Sequence, residues 1–366
     1  MGSWLHQAKE TLESFAGIHL WTTRSFPFVH ARRRFLTVRM DVNNKCNLRC
    51  TMCYFALEEV RRLPPVEMSD CLIERLRREV WPRTQALWLS CAAEPLIAPK
   101  LQSVLVQAKR SGVPETILVT NGVALSEEKA AWMIEAPLDV LIVSLDGASP
   151  AVYERLRPPA RFEKTLANIE RLQAMKRWRG APRPSLQVAA VMMRENLEEW
   201  ADIVRLAADL GADRAVLNPR IYYDEMGEQD GLAKHPNEVN AALERARAVA
   251  ADRRIALAAP EPFHLPATGQ ARAPDEAARR WRHCWDPWTQ IVVYPDGEAA
   301  PCTQLRNRGR FGNLEQRSFR GVFYGPEYRA LREELRCGRP EAACHACSCG
   351  ADLNDPAAFS SRAIFP

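Results

Sequence analysis

Residues 35–55 read FLTVRMDVNNKCNLRCTMCYF and join a short strand pattern to a loop that carries three cysteines. Apolar and polar side chains alternate over 36–42, and this alternation predicts a β-strand. Cys46, Cys50 and Cys53 follow it with the spacing C-x3-C-x2-C. Three thiols in so short a loop can hold a metal centre from three sides, while no fourth Cys or His follows within the loop.

These thiols fit either zinc or an iron–sulfur cluster. A structural zinc site needs four closed ligands, which this loop does not supply. A [4Fe–4S] cluster takes one ligand per iron, so three cysteines would leave one iron open to another molecule. The spacing therefore favours an iron–sulfur cluster with an open position, and a zinc knuckle is the alternative.

Composition limits the classes of protein that fit. The chain has 366 residues, of which 47% are hydrophobic, and a formal net charge of +5, too small to indicate a nucleic-acid partner. No apolar run reaches the roughly 18–20 residues of a transmembrane segment, and the N-terminus lacks a secretory pattern. The 11 cysteines, without an export signal, argue against a disulfide framework, so we expect reduced thiols and a cytoplasmic location.

Short apolar runs alternate with longer helical patterns beyond the first strand. This alternation predicts about six β/α units around a parallel sheet. Six units are too few to close an eight-stranded barrel, so we expect an open or partial barrel. The predicted strands lie at 35–42, 86–90, 116–120, 140–147, 186–193 and 214–218, and the predicted helices at about 66–81, 98–112, 126–135, 161–178 and 197–210.

Polar residues follow these strands. The cysteine loop follows the first strand, SCAAEP (90–95) follows the second, and Asn121 follows the third. Ligands of parallel α/β sheets bind beyond the carboxyl ends of the strands, so we expect the cysteine loop to lie on the functional rim. Cys71 and Cys91 are expected to be ordinary buried thiols.

With its C-x3-C-x2-C loop after the first strand, the chain resembles the radical S-adenosylmethionine (SAM) enzymes. CAAEP (91–95) resembles the Gly-Gly-Glu-Pro segment of that family, with Ala92 and Ala93 in place of the glycines, and VSLDG (143–147) resembles its fourth-strand motif. The resemblance implies an α/β fold with a partial (β/α)6 TIM-like barrel. It also implies a [4Fe–4S] cluster on Cys46, Cys50 and Cys53, whose open iron binds SAM.

The same resemblance implies a set of residues that contact SAM. Each is carried over from the position that matches a motif of the family. They are Met52 against the adenine, Glu94 for the amino group, Ser144 near the ribose or carboxylate, Asp146 as an orienting residue and Arg157 for the carboxylate.

A second group of cysteines lies near the C-terminus, in HCWDPWTQIVVYPDGEAAPC (283–302) and CGRPEAACHACSCG (337–350). The Pro-Asp-Gly turn at 295–297 predicts a β-hairpin. The pattern resembles the SPASM or shorter twitch extension of radical SAM enzymes, which implies one auxiliary [4Fe–4S] cluster rather than two. A zinc site closed by four cysteines is the alternative. The expected ligands are Cys284, Cys302, Cys344 and Cys347, and Cys337 or Cys349 can substitute for one of them.

Three units follow from these patterns. We expect an N-terminal helical extension over 1–34, the partial barrel over 35–258 and a twitch/SPASM-type β-hairpin and helix domain over 259–366, entered through a linker rich in Pro and Ala at 259–274.

The resemblance implies reductive cleavage of SAM to a 5′-deoxyadenosyl radical that abstracts a substrate hydrogen, with electrons from a flavodoxin- or ferredoxin-type donor. We expect an oxidoreductase that dehydrogenates a small biosynthetic metabolite, because only about 34 residues precede the first strand, whereas peptide-modifying relatives commonly carry a longer leader-binding module there. A peptide-modifying enzyme is the alternative. A non-catalytic iron–sulfur or zinc-binding electron carrier is the alternative from another class.

Overall fold

A computed structural model of the protein describes residues 34–136, 138–219, 232–263, 284–306 and 309–339, together with Cys344. The predicted N-terminal extension, except its last residue, lies outside these ranges, as do Cys347, Cys349 and most of the predicted linker. Within the described ranges, no helix has both the length and the apolar character that crossing a bilayer requires.

The described strands form one sheet, in the order β7-β6-β5-β4-β3-β2-β1-β8-β9. Neighbouring strands from β7 to β8 are parallel, and only β9 runs antiparallel to its neighbour. The two edge strands do not pair, so the barrel is open, as predicted. The strands are Leu36–Met40 (β1), Thr84–Leu89 (β2), Glu115–Thr120 (β3), Val140–Ser144 (β4), Ser185–Met192 (β5), Arg214–Pro219 (β6), Ala256–Ala258 (β7), Gln290–Val293 (β8) and Ala299–Ala300 (β9).

Helices connect the strands, and serine side chains begin four of the described helices. Ser69, Ser126, Ser149 and Ser318 each accept a hydrogen bond from a backbone N–H of the first turn. The helices are Glu58–Arg62 (α1), Asp70–Arg75 (α2), Leu101–Arg110 (α3), Glu127–Glu135 (α4), Pro150–Leu156 (α5), Phe162–Arg179 (α6), Trp200–Asp209 (α7), Pro236–Arg253 (α8), Asp286–Thr289 (α9), Phe319–Phe323 (α10) and Pro326–Arg336 (α11).

All six predicted strands are confirmed, and their ends differ from the prediction by at most three residues. The alternation that predicted β1 is visible in its burial, because Leu36, Val38 and Met40 are fully buried while the residues between them are partly exposed. The predicted helix at 66–81 is shorter, since α2 passes into a π-helical turn over Leu76–Val80.

The largest difference from the sequence prediction lies at the edge of the sheet. The predicted hairpin forms, with β8 and β9 as its strands, but β8 also pairs with β1, with Thr37 opposite Gln290. The C-terminal hairpin therefore continues the sheet of the barrel. Strand β7 and helix α8 were not predicted, and β7 extends the other edge of the sheet.

Candidate cluster and cofactor site

The cysteine loop begins just after β1 and is tied to the segment that follows α5. Arg49 N donates to Pro158 O at 2.7 Å, and Thr51 N donates to Leu156 O at 2.9 Å. Cys50, which lies between these two bonds, is buried, while Cys46 and Cys53 are half-buried. Backbone hydrogen bonds thus hold the loop against the end of α5 and the segment that follows it.

One cavity of about 330 Å³ contains the three thiols. Ligand sites generally occupy at least about 300 Å³, so the volume suits a bound small molecule. Its wall includes segments that follow β1, β2, β3 and β4, as expected for the rim of a parallel sheet. Seven of the residues predicted to hold the cluster or to contact SAM line it: Cys46, Cys50, Met52, Cys53, Glu94, Ser144 and Arg157.

The thiols fit a cluster of several iron atoms. Burial raises the pKa of Cys46 to about 12 and that of Cys50 to about 11, so both need a cationic centre to become thiolates. Among the described residues, no group of three or more His, Cys, Asp or Glu side chains is placed to hold a single metal ion. The loop offers three thiols and no fourth Cys or His, which matches a [4Fe–4S] cluster with one open iron, because such a cluster takes one ligand per iron.

Three N–H groups approach the thiols. Leu48 N lies 3.4 Å from Cys46 Sγ, and Asn121 Nδ2 lies 3.9 Å from the same sulfur. The Arg157 guanidinium lies 3.9 Å from Cys50 Sγ through Nη1. Sequence reasoning placed Asn121 on the rim but did not identify it as a donor, because its position beside Cys46 depends on the packing of two loops.

Glu94 is buried, and its carboxylate is held by three donors. Oε1 accepts from Thr120 Oγ1 at 2.6 Å and from Leu96 N at 3.0 Å, and Oε2 accepts from Asn121 N at 2.8 Å. Burial raises the pKa of Glu94, and these hydrogen bonds oppose that rise. Glu94 N also donates to Lys45 O at 2.9 Å, which ties the segment to the cysteine loop. The carboxylate is therefore fixed in the cavity, where it can receive an ammonium group.

Asp41 supports the segment that contains the alanines in place of glycines. Its Oδ1 accepts from Cys91 N at 2.7 Å and from Ala92 N at 3.2 Å. Burial raises the pKa of Asp41 to about 6, although these backbone hydrogen bonds lower it. Sequence reasoning missed this role, since it arises from the pairing of β1 with β2 and not from a local motif.

Ser144 and Arg157 line the cavity, whereas Asp146 does not. The Asp146 side chain is fully buried, and its Oδ2 accepts from Arg157 Nε at 2.6 Å. A Cβ at Gly147 would lie 2.6 Å from Tyr153 N, so glycine is needed for α5 to begin this close to Asp146. Any effect of Asp146 on a cofactor would pass through the guanidinium, in keeping with an orienting role.

A second cavity of about 580 Å³ lies between the cysteine loop and the C-terminal hairpin, and shares Tyr54 and Ala93 with the first. Arg306 enters it from the hairpin side, stacks over Tyr294 at 4.2 Å and donates to Tyr54 Oη at 3.2 Å. Asp41 lines the same cavity. The two cavities thus meet at Tyr54, directly after the third cysteine of the loop.

The remaining cysteines differ in exposure. Cys284, Cys302 and Cys344 are half-buried, whereas Cys337 is exposed at the end of α11 and donates to Glu333. The prediction that Cys71 is buried was wrong, because it lies on the exposed side of α2. Cys91 is half-buried and lines the first cavity.

Comparison with known proteins agrees with this geometry. The family model described as the radical SAM superfamily matches residues 40–207, which include the cysteine loop and the segments around Glu94 and Ser144. The SPASM model, described as an iron–sulfur cluster-binding domain, matches residues 284–348. Both matches cover the regions in which the sequence placed the cysteine clusters.

Two curated proteins are similar to this chain in sequence. The PqqA peptide cyclase of Streptomyces rochei is 31% identical over 274 residues, which cover 72% of this chain and 68% of that protein. The AdoMet-dependent heme synthase of Methanosarcina barkeri is 30% identical over 176 residues, 48% of each chain. The first match covers about two thirds or more of both proteins, whereas the second covers about half of each.

The fold is also shared with a solved structure, Streptococcus suis SuiB bound to its precursor peptide SuiA. The TM-score is 0.61 at 14% identity, with 83% of this chain and 68% of SuiB covered. This chain therefore belongs to the radical SAM superfamily, carries a SPASM domain, and takes [4Fe–4S] clusters and SAM as its cofactors.

Proposed function

We propose that this radical SAM enzyme modifies a peptide by a two-electron oxidation. The observation that carries the proposal is the 31% identity to a PqqA peptide cyclase over 72% of this chain. The sequence alone favoured a small metabolite, and the relatives support the peptide alternative instead. Membership in an enzyme superfamily also argues against the reading as a non-catalytic electron carrier.

The three-cysteine cluster and SAM supply, when bound, a 5′-deoxyadenosyl radical that removes a hydrogen atom from the substrate. In our proposal Cys46, Cys50 and Cys53 hold the cluster, and Glu94 receives the amino group of SAM. Ser144 provides a hydroxyl on the cavity wall for the ribose or carboxylate. Fixed polar groups of this kind place the reacting atoms before the reaction begins.

The second cavity supports a peptide as substrate. One wall comes from the cysteine loop and α1, with apolar side chains such as Phe55 and Val60, and the other comes from the hairpin, with Arg306. An apolar wall facing a few fixed polar groups suits a peptide side chain together with its backbone carbonyl. Tyr54 lies between this cavity and the thiols, so a bound side chain would lie next to SAM.

The C-terminal cysteines are proposed to hold one auxiliary [4Fe–4S] cluster, with Cys284, Cys302, Cys344 and Cys347 as ligands. Such a cluster would accept the second electron of the oxidation. Exposure supports Cys302 over Cys337 as a ligand, because the former is half-buried and the latter is exposed. A cytoplasmic location and a flavodoxin- or ferredoxin-type donor complete the proposal, since a low-potential cluster needs a reducing compartment.

The test uses short peptides encoded by the genes beside this one. Enzyme reconstituted without oxygen is mixed with SAM, dithionite and each peptide, and the products are followed by mass spectrometry. We expect one peptide to lose two hydrogens and to stimulate 5′-deoxyadenosine formation, with neither change in a Cys50→Ala variant. If no peptide reacts, while a small metabolite with an oxidisable alcohol stimulates 5′-deoxyadenosine and loses two hydrogens, the peptide proposal is wrong.

A further inference from the structure

The Arg157 side chain lies between a cluster thiol and a carboxylate. Nη1 is 3.9 Å from Cys50 Sγ, and Nε is 2.6 Å from Asp146 Oδ2. Only 7% of the residue is exposed. An arginine side chain keeps its positive charge in proteins. The guanidinium is therefore a permanent positive charge beside Cys50.

The backbone fixes the distance between this charge and the sulfur. The bonds from Arg49 N to Pro158 O and from Thr51 N to Leu156 O join the residues on either side of Cys50 to those on either side of Arg157. Neither residue can move along the chain direction without breaking one of these bonds. The approach of guanidinium to thiol is thus built into the loop.

The carboxylate behind the guanidinium is fixed as well. Asp146 Oδ1 accepts from Val191 N at 2.8 Å, and Asp146 O accepts from Asn196 Nδ2 at 2.8 Å. With its carboxylate held from β5 and its backbone carbonyl held from the segment after β5, Asp146 cannot swing out to follow a ligand. It therefore keeps the guanidinium turned toward Cys50, whether or not SAM is present.

A thiolate that binds iron gains negative charge when its cluster takes up an electron, and a charged N–H donor stabilises that form. We propose that Arg157 raises the reduction potential of the three-cysteine cluster through its contact with Cys50, and that Asp146 orients it for this purpose. Arg157 is then a positioning and tuning residue in addition to any contact with the SAM carboxylate. This inference depends on the cluster ligands given under the proposed function, but not on the identity of the substrate.

The test is a redox titration followed by electron paramagnetic resonance, without SAM. The signal of the three-cysteine cluster is identified as the one that changes when SAM is added afterwards. In Arg157→Gln we expect the ratio of reduced to oxidised cluster at a fixed potential to fall about tenfold, or about 59 mV for a one-electron couple. The matched control is Arg161→Gln, because Arg161 is exposed and pairs with Glu154 away from the thiols.

An unchanged potential in Arg157→Gln would overturn the inference, because a residue that serves only the SAM carboxylate has no effect when SAM is absent. If that variant fails to hold its cluster, a measurement on the unmodified protein tests the inference instead. Protein labelled with ¹⁵N-arginine should show an arginine nitrogen coupled to the reduced cluster, and absence of this coupling would also overturn it. Failure of the proposed function is distinguishable, since it leaves these signals intact while no peptide reacts.

Discussion

The two cysteine regions of this protein are built in different ways. Cys46, Cys50 and Cys53 come from one loop that follows one strand, and backbone bonds to residues 156–158 hold it. Cys284 and Cys302 lie at the two ends of a hairpin segment, and Cys344 comes from beyond α11. A site made by one loop can be recognised from spacing alone, whereas a site assembled from distant segments depends on the fold that brings them together.

The sheet nevertheless joins these regions. β1 leads into the cysteine loop, and it pairs with β8 of the C-terminal hairpin. Tyr54 and Arg306 then connect the loop to the hairpin at the boundary between the two cavities. This arrangement suits an enzyme in which a substrate contacts both regions at once.

The strongest test of the comparison removes the first region only. Changing Cys46, Cys50 and Cys53 together to Ala should abolish 5′-deoxyadenosine formation and lower the iron content from about eight to about four atoms per chain, because the auxiliary cluster remains. Iron analysis and chromatography of the products after reduction with dithionite measure both effects. Zinc in place of iron, or about four iron atoms in the unmodified chain, would contradict the two-cluster account.

A second variant pair tests the C-terminal region. Cys302→Ala should lower the iron content toward about four atoms per chain, because a half-buried ligand of the auxiliary cluster is lost. Cys337→Ala is the matched control and should keep about eight, since Cys337 is exposed. Reversal of this pattern would assign Cys337 to the cluster and exclude the ligand set proposed here.

Asp41 lies where the two regions meet, and its pKa predicts a pH effect. Because burial raises this pKa from 3.8 to about 6, the folded state holds a proton that the unfolded state releases, and stability falls as the pH rises from about 4 to about 6. An asparagine at this position does not titrate, so Asp41→Asn does not lose stability in this way. The unfolding free energy of the variant minus that of the unmodified protein should therefore increase by up to about 3 kcal/mol across that range. Denaturant titrations at several pH values measure it.

The control for this experiment is Asp252→Asn, which changes an exposed carboxylate on α8. Because this side chain is exposed, the variant shows how much of any change comes from replacing a surface carboxylate with an amide. If the difference in unfolding free energy between Asp41→Asn and the unmodified protein is independent of pH, the Asp41 carboxylate is ionised over the whole range. Burial then does not raise its pKa.

A smaller effect is expected at Glu94. The Glu94 carboxylate accepts hydrogen bonds from three donors. In Glu94→Gln, the amide NH₂ would face at least one of these donors, and the negative charge would be lost. SAM should bind about tenfold to hundredfold more weakly, since one charged hydrogen bond contributes about 1.5–3 kcal/mol. Equilibrium dialysis with reconstituted protein measures this. The exposed Glu115→Gln serves as the control, and equal SAM affinity in both variants would remove Glu94 from the site.

The sequence was sufficient for features that depend on neighbouring residues. The six strands of the barrel, the cysteine loop and its place on the rim all follow from local patterns of apolar residues and from spacing. The sequence was not sufficient to predict that β1 pairs with β8. Thr37 and Gln290 are far apart in the chain, and the local pattern of either strand also fits an edge strand of the sheet. The donors to the thiols from Asn121 and Arg157 were missed for the same reason.

We propose that the three-cysteine cluster has an open iron to which SAM binds. Electron–nuclear double resonance on the reduced protein, with SAM labelled by ¹⁵N at its amino group, tests this claim most directly. We expect a ¹⁵N coupling to the cluster in the unmodified protein. A cluster signal that neither changes on addition of SAM nor shows this coupling would contradict it.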